Sequence, residues 1–198
     1  MDTKLLITLL PVVFMLHDFE EIIMFKPWLE KNRDEIKRRF PRVDKTLSKN
    51  HDHLSTSAFA VAVLNEFFII AFITCVSLYF GSYHWWFGAF MAFSLHLIIH
   101  IVQWLIYGKY VPVVVTSILA LPYCVYTFVE FLKITDMTVE QLFFWTVTGI
   151  ILAIASFVPA FFFASRFENW KNQNYLQSAG YRLTAVSGGK LQEDQKEQ

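Results

Sequence analysis

Apolar residues along this chain come in long unbroken runs rather than in alternation or as a single helical stripe. A bilayer crossing needs about 20 mostly apolar residues. Four runs meet that length, at 54–80, 84–107, 111–132 and 139–165. A fifth, 5–25, is apolar through Leu16, is then interrupted by His17-Asp18-Phe19-Glu20-Glu21, and closes on Ile22, Ile23, Met24 and Phe25. The pattern predicts an all-α polytopic membrane protein with five transmembrane helices. They form a single integral membrane domain over 1–186, followed by a disordered cytoplasmic tail over 187–198, where Gly, Gln, Glu and Lys show no periodicity. A signal peptide is the competing reading of the first run, but no small-residue cleavage site follows and acids stand where cleavage would occur.

Between the first two runs, Leu29, Ile36, Phe40, Val43 and Leu47 recur at roughly helical spacing among cations, and Pro27 can open a helix. That reads as a basic amphipathic loop lying on the anionic leaflet, with a partner or headgroup site as the alternative. The cations also orient the chain. Lys26 through Lys49, Lys109, and Arg166 through Lys196 fall on one side of a five-span chain, leaving Lys4 and Lys133 on the other. By the positive-inside rule the N-terminus is outside and the C-terminus cytoplasmic.

Composition sharpens this picture. The chain is 55% hydrophobic and 18% aromatic, which excludes disorder, and it carries 17 acidic and 17 basic residues, which leaves no cationic excess for nucleic acid. The two cysteines, Cys75 and Cys124, are too few for a disulfide scaffold and read as apolar fillers.

The chemistry lies in polar groups that a span should not contain. Charged residues inside a membrane are costly and usually face a cavity or one another. At about 100° per residue, Glu20 and Glu21 lie within about 60° of His17, whereas Asp18 is about 100° round and reads as peripheral, as does Glu130. Asn65 and Glu66 stand in the second run, and His96, His100 and Gln103 form an i, i+4, i+7 stripe in the third. These levels agree to within about two helical turns. No Lys or Arg inside a run neutralises Glu20, Glu21 or Glu66, so each must be protonated, paired or coordinated to a cation. With histidines at matching depth, a divalent transition metal answers the whole set, zinc first, with iron or manganese possible. A proton or ion relay is the alternative use of the same groups.

His17-Asp18-Phe19-Glu20-Glu21 resembles the signature of the HxxEE family of multispan membrane proteins. The family pattern adds a later histidine, matched by His96 or His100, and a Tyr-x-Pro-Gly motif, resembled by Tyr110-Val111-Pro112-Val113 with valine in place of glycine. The resemblance implies a fold and candidate site residues but no reaction.

The motif invites a mechanical comparison with H-x-x-E-H zinc peptidases, the last ligand here being glutamate. On that reading His17, Glu21, His96 and His100 are metal ligands, Glu66 is a further ligand or orients one, and Glu20 is the general base. The expected function is a metal-dependent hydrolase that activates water near the bilayer midplane for a lipid or another membrane-embedded substrate. Rivals are a di-metal carboxylate oxidoreductase, a cation or proton transporter, and a binding protein for an apolar ligand.

Overall fold

The computed structural model describes residues 2–50 and 54–194, with side chains described for 2–45 and 54–175. Among these the chain is all-helical: α1 (Thr3–Arg39), α2 (Pro41–Asn50), α3 (Thr56–Phe80), α4 (His84–Tyr107), α5 (Val114–Ile134) and α6 (Val139–Asp194). Asp2 and Ser55 cap α1 and α3, their side-chain oxygens accepting from Lys4 N and Ala58 N at 3.0 and 3.2 Å. The helical backbone of α6 runs to Asp194, so part of the expected disordered tail at 187–198 is described as helix, and 195–198 lie outside the described residues.

Four helical segments are long and apolar enough to cross a membrane: Thr56–Phe80, His84–Tyr107, Val114–Ile134 and Val139–Tyr175. They match the four unambiguous runs. Their outer faces are bare apolar surface of the kind a bilayer covers, with Phe72, Leu119 and Val158 exposed by 70%, 71% and 74%.

α1 differs from its expectation. Pro27 does not open a new helix; α1 runs straight through it into the basic segment. Tertiary contacts hold that continuation. Trp28 Nε1 donates to Tyr110 O at 2.8 Å, and Arg39 Nη1 donates to Tyr107 O at 3.0 Å, just beyond and at the end of α4. Leu29 and Ile36, expected on a lipid surface, are buried against Tyr107, with Phe40 packed alongside. The apolar stripe of the arm therefore covers the end of the bundle, while Val43 stays exposed.

Two faces of α4 organise the core. Trp86, Phe87 and Phe90 pack towards α1 and α5, where Phe87 stacks on Phe131 at 5.1 Å and Trp86 Nε1 donates to Ile7 O at 3.2 Å. On the other face, Gly88 meets Gly149 of α6 so closely that a Cβ on Gly88 would sit 2.9 Å from Trp145 O and 3.3 Å from Gly149 Cα. Only glycine permits that backbone approach. Beyond the crossing the helices enclose a cavity of about 430 Å³ between α1, α3, α4 and α6.

Candidate metal centre

α1 and α4 bring the histidines together. His17 is almost fully buried, with its ring centroid 5.3 Å from that of His96 and 5.5 Å from that of His100. His96 and His100, one turn apart on α4, face each other with Nε2 to Nε2 at 3.0 Å. One ligand atom from each of the three lies within 4.8 Å of the others. Two imidazole ligands about 2.05 Å from a tetrahedral zinc stand about 3.3 Å apart, so the spacing of the α4 pair is close to that of co-ligands.

Hydrogen bonds settle which ring nitrogens are bare. Thr116 Oγ1 has one proton and gives it to Glu20 Oε2 at 2.6 Å. At its 3.2 Å contact with His17 Nδ1 it must therefore accept. His17 thus carries its proton on Nδ1, and its Nε2, buried and without a hydrogen-bond partner, presents a lone pair. His100 repeats the arrangement. Its Nδ1 lies 3.0 Å from Gln103 Oε1, an acceptor, so Nδ1 donates there and Nε2 accepts from His96 Nε2 at 3.0 Å. Metal-binding histidines are held this way, the nitrogen away from the ion donating to a fixed acceptor.

The acids divide in a way that spacing alone did not show. Glu21 lies beside Asp18 and His96, with ligand atoms of the three again within 4.8 Å. Asp18, expected to be peripheral, is buried, and its Oδ1 has no hydrogen-bond partner. The angular estimate placed it off the His17 face correctly, but that second face meets α4 rather than lipid. Glu66 lines the same cavity. It is engaged elsewhere, accepting from Ser156 Oγ of α6 at 2.7 Å and lying 3.5 Å from Asn65 Nδ2. Glu130, as expected, is peripheral and pairs with Lys133 at 2.6 Å.

Glu20 stands in the N-terminal turn of α5. Its carboxylate accepts from Thr116 N at 2.9 Å and Thr116 Oγ1 at 2.6 Å, and from Tyr110 Oη at 2.8 Å. α5 has no side-chain cap of its own, since Val113 occupies that position, so Glu20 caps it from another helix, where the helix dipole favours an anion. Burial, then the bond to Glu20, pushes the Tyr110 hydroxyl up to about 12, so it remains a donor. The turn itself is unusual. Val113 has φ 76°, the left-handed conformation that suits glycine, as in the Tyr-x-Pro-Gly pattern. The backbone keeps the glycine geometry although the side chain is branched.

Thr116 and Ser156 were not singled out in the sequence. Hydroxyl residues are common in apolar helices and bond to their own backbone, so neither carried a signal by itself. The nearest hint to Thr116 was its place just after the Tyr-x-Pro turn.

The fold and site define a class: a helical bundle with membrane-length apolar helices and a buried histidine and carboxylate cluster between them. The chain belongs to the HXXEE family, described as proteins of unknown function with an HXXEE motif, whose profile matches residues 8–127. The match contains His17, Glu20, Glu21, Glu66, His96, His100 and Thr116, and stops before α6. Comparisons with curated proteins and with solved structures returned no significant match.

Proposed function

We propose that His17, His96 and His100 bind one divalent transition metal, zinc first and iron or manganese next, and that the protein is a metal-dependent membrane hydrolase. The observation that carries this reading is the buried Nε2 of His17, which has no hydrogen-bond partner and stands within 4.8 Å of ligand atoms of His96 and His100. Three imidazoles leave a fourth position for water, which the ion acidifies. Asp18 and Glu21, beside His96, are the acids placed to take its proton or to add a ligand. Glu20, the base expected from the motif, already accepts three hydrogen bonds, and this supports a positioning role through Thr116 instead. The reading keeps α1 as a fifth crossing, with the N-terminus outside, the C-terminus cytoplasmic, and a lipid or membrane-embedded molecule as substrate.

Asp18, Glu21 and His96 also form a second donor group, which favours a two-metal oxidoreductase as the other reading. Elemental analysis of the purified protein separates them. One equivalent of metal, lost in His17→Ala, His96→Ala and His100→Ala and held about 10–100-fold more weakly in Thr116→Val, is the expected result. Two irons per chain, both lost on Glu21→Gln, establish the second reading. Folded protein that binds no added zinc, iron, manganese or cobalt overturns both.

A further inference from the structure

The cavity extends well beyond the histidines. Its volume of about 430 Å³ lies within the range of small-molecule sites. A cavity of about 150 Å³ accepts a benzene, so this one has room for on the order of 15 non-hydrogen atoms. Most of the wall is apolar, including Ile69, Ile70 and Ile73 of α3 and Leu152 and Phe157 of α6. Of its polar groups, Asp18, Glu21 and His96 lie together, Glu66 is bonded to Ser156, and Thr148 lines it as well. Among the described residues no lysine or arginine lines it.

The wall is also built of withheld volume. Ala89 and Ala92 on α4, and Ala153 and Ala160 on α6, line the space where larger apolar residues would have filled it. Empty apolar volume of this size forfeits packing that the neighbouring core has. The polar side has a matching need. Asp18 Oδ1 is buried with no donor, and among the described residues no hydrogen bond ends on Glu21. The lack of a cation sets the chemistry of what fits: an anionic group there would be buried with no counter-charge, whereas a hydrogen-bond donor is accepted by the partnerless oxygen of Asp18.

We infer that this cavity is the substrate chamber, and that it takes one apolar chain whose polar end is a hydrogen-bond donor without negative charge, such as an alcohol, amide or amine. The inference rests on the proposed function only in calling the ligand a substrate. The preference for chain and head group follows from the wall itself, and it excludes fatty acids and phosphate-ended lipids.

Trp85 and Trp145 line the cavity and report on it directly. The probes are dibrominated chains of about ten carbons ending in an alcohol, an amine, a carboxylate or a phosphate. They are titrated into the chelator-treated full-length protein in uncharged detergent, with tryptophan quenching as the readout. The alcohol and amine should bind at least about tenfold more tightly than the carboxylate and phosphate. Ala153→Phe should abolish saturable quenching, and Glu66→Gln should narrow the head-group preference. Should Ala153→Phe fail to fold, Ala92→Leu fills the chamber from the opposite wall and must weaken binding. Equal affinity for all four head groups, or saturable quenching undiminished in the filled variants, overturns the inference. Because the protein is metal-free in this assay, a failure of the metal reading leaves the result intact, and failure here leaves the metal titration standing.

Discussion

The two faces of α4 receive opposite treatment. Towards α1 and α5 it presents Trp86, Phe87 and Phe90, all essentially fully buried, with Trp86 stacked on Phe90 at 5.0 Å and Phe87 on Phe131 at 5.1 Å. Towards α3 and α6 it presents Gly88, pressed against Gly149, and then Ala89 and Ala92, beside which the space is open. His96 stands at the lower edge of the open face, and His100 one turn further on closes the histidine cluster against His17. In a bilayer the hydrophobic effect does not drive helices together, so dispersion contacts and close backbone approach must hold them. The packed face supplies dispersion through large rings. The open face relies on the Gly88–Gly149 approach, which fastens α4 to α6 at one level and leaves the levels below it unfilled. One helix therefore anchors the bundle with one side and makes room with the other.

The largest expected effect tests that division directly. Trp86→Ala removes a fully buried ring and its hydrogen bond to Ile7 O, and should cost about 3–5 kcal/mol in a detergent-denaturation titration. Ala92→Leu, less than about two turns along but on the cavity side, should be neutral or stabilising by about 0.5–2 kcal/mol. Comparable losses from the two would show that the faces are not distinct. A smaller effect falls on the fastening itself. Gly88→Ala drives a methyl against Trp145 O and should cost about 1–3 kcal/mol by forcing α6 away, measured in the same titration. No loss would mean that α6 is held by something other than this crossing.

The smallest effect concerns the end of α4, where the arm of α1 docks. Lys109 and Arg39 donate to Glu35 and hold its carboxyl below its ordinary 4.5. A folded-state value below the unfolded one favours docking above the ordinary value, and that contribution fades as pH falls through the lowered one. The emission of Trp28, read against a Trp28→Phe control, should therefore shift to longer wavelength on acidification below about pH 4. Glu35→Gln should remove this pH dependence. Lys109 is mostly exposed, so salt should weaken the effect further.

Much of this architecture was legible from the runs alone. The four apolar stretches coincide with α3 to α6 because a span must be continuous, and little else produces such runs. His17, His96 and His100 stood out because each interrupts such a run. Asp18 was misjudged because facing angle on one helix says nothing about which neighbour lies on the second face. Glu20 and Glu21 looked interchangeable in spacing, yet one caps α5 and the other faces His96, a distinction decided by where α5 begins. Pro27 reads locally as a helix start, and only the contacts of Trp28 and Arg39 with the end of α4 explain why α1 runs on. The open volume was invisible because small residues in a span signal close packing as readily as space.

The left-handed turn at Val113 makes the α4–α5 hairpin depend on α1. A glycine there would let the α4–α5 hairpin close by local preference, as soon as both helices exist. A branched residue at φ 76° does not favour that shape on its own, and α5 brings no side-chain cap of its own to start it. The missing help comes from Glu20, some ninety residues earlier in the chain, through the backbone and hydroxyl of Thr116. The turn is therefore held from α1, and the hydroxyl that donates to Glu20 also accepts from His17 Nδ1, so a single threonine ties the hairpin to the centre.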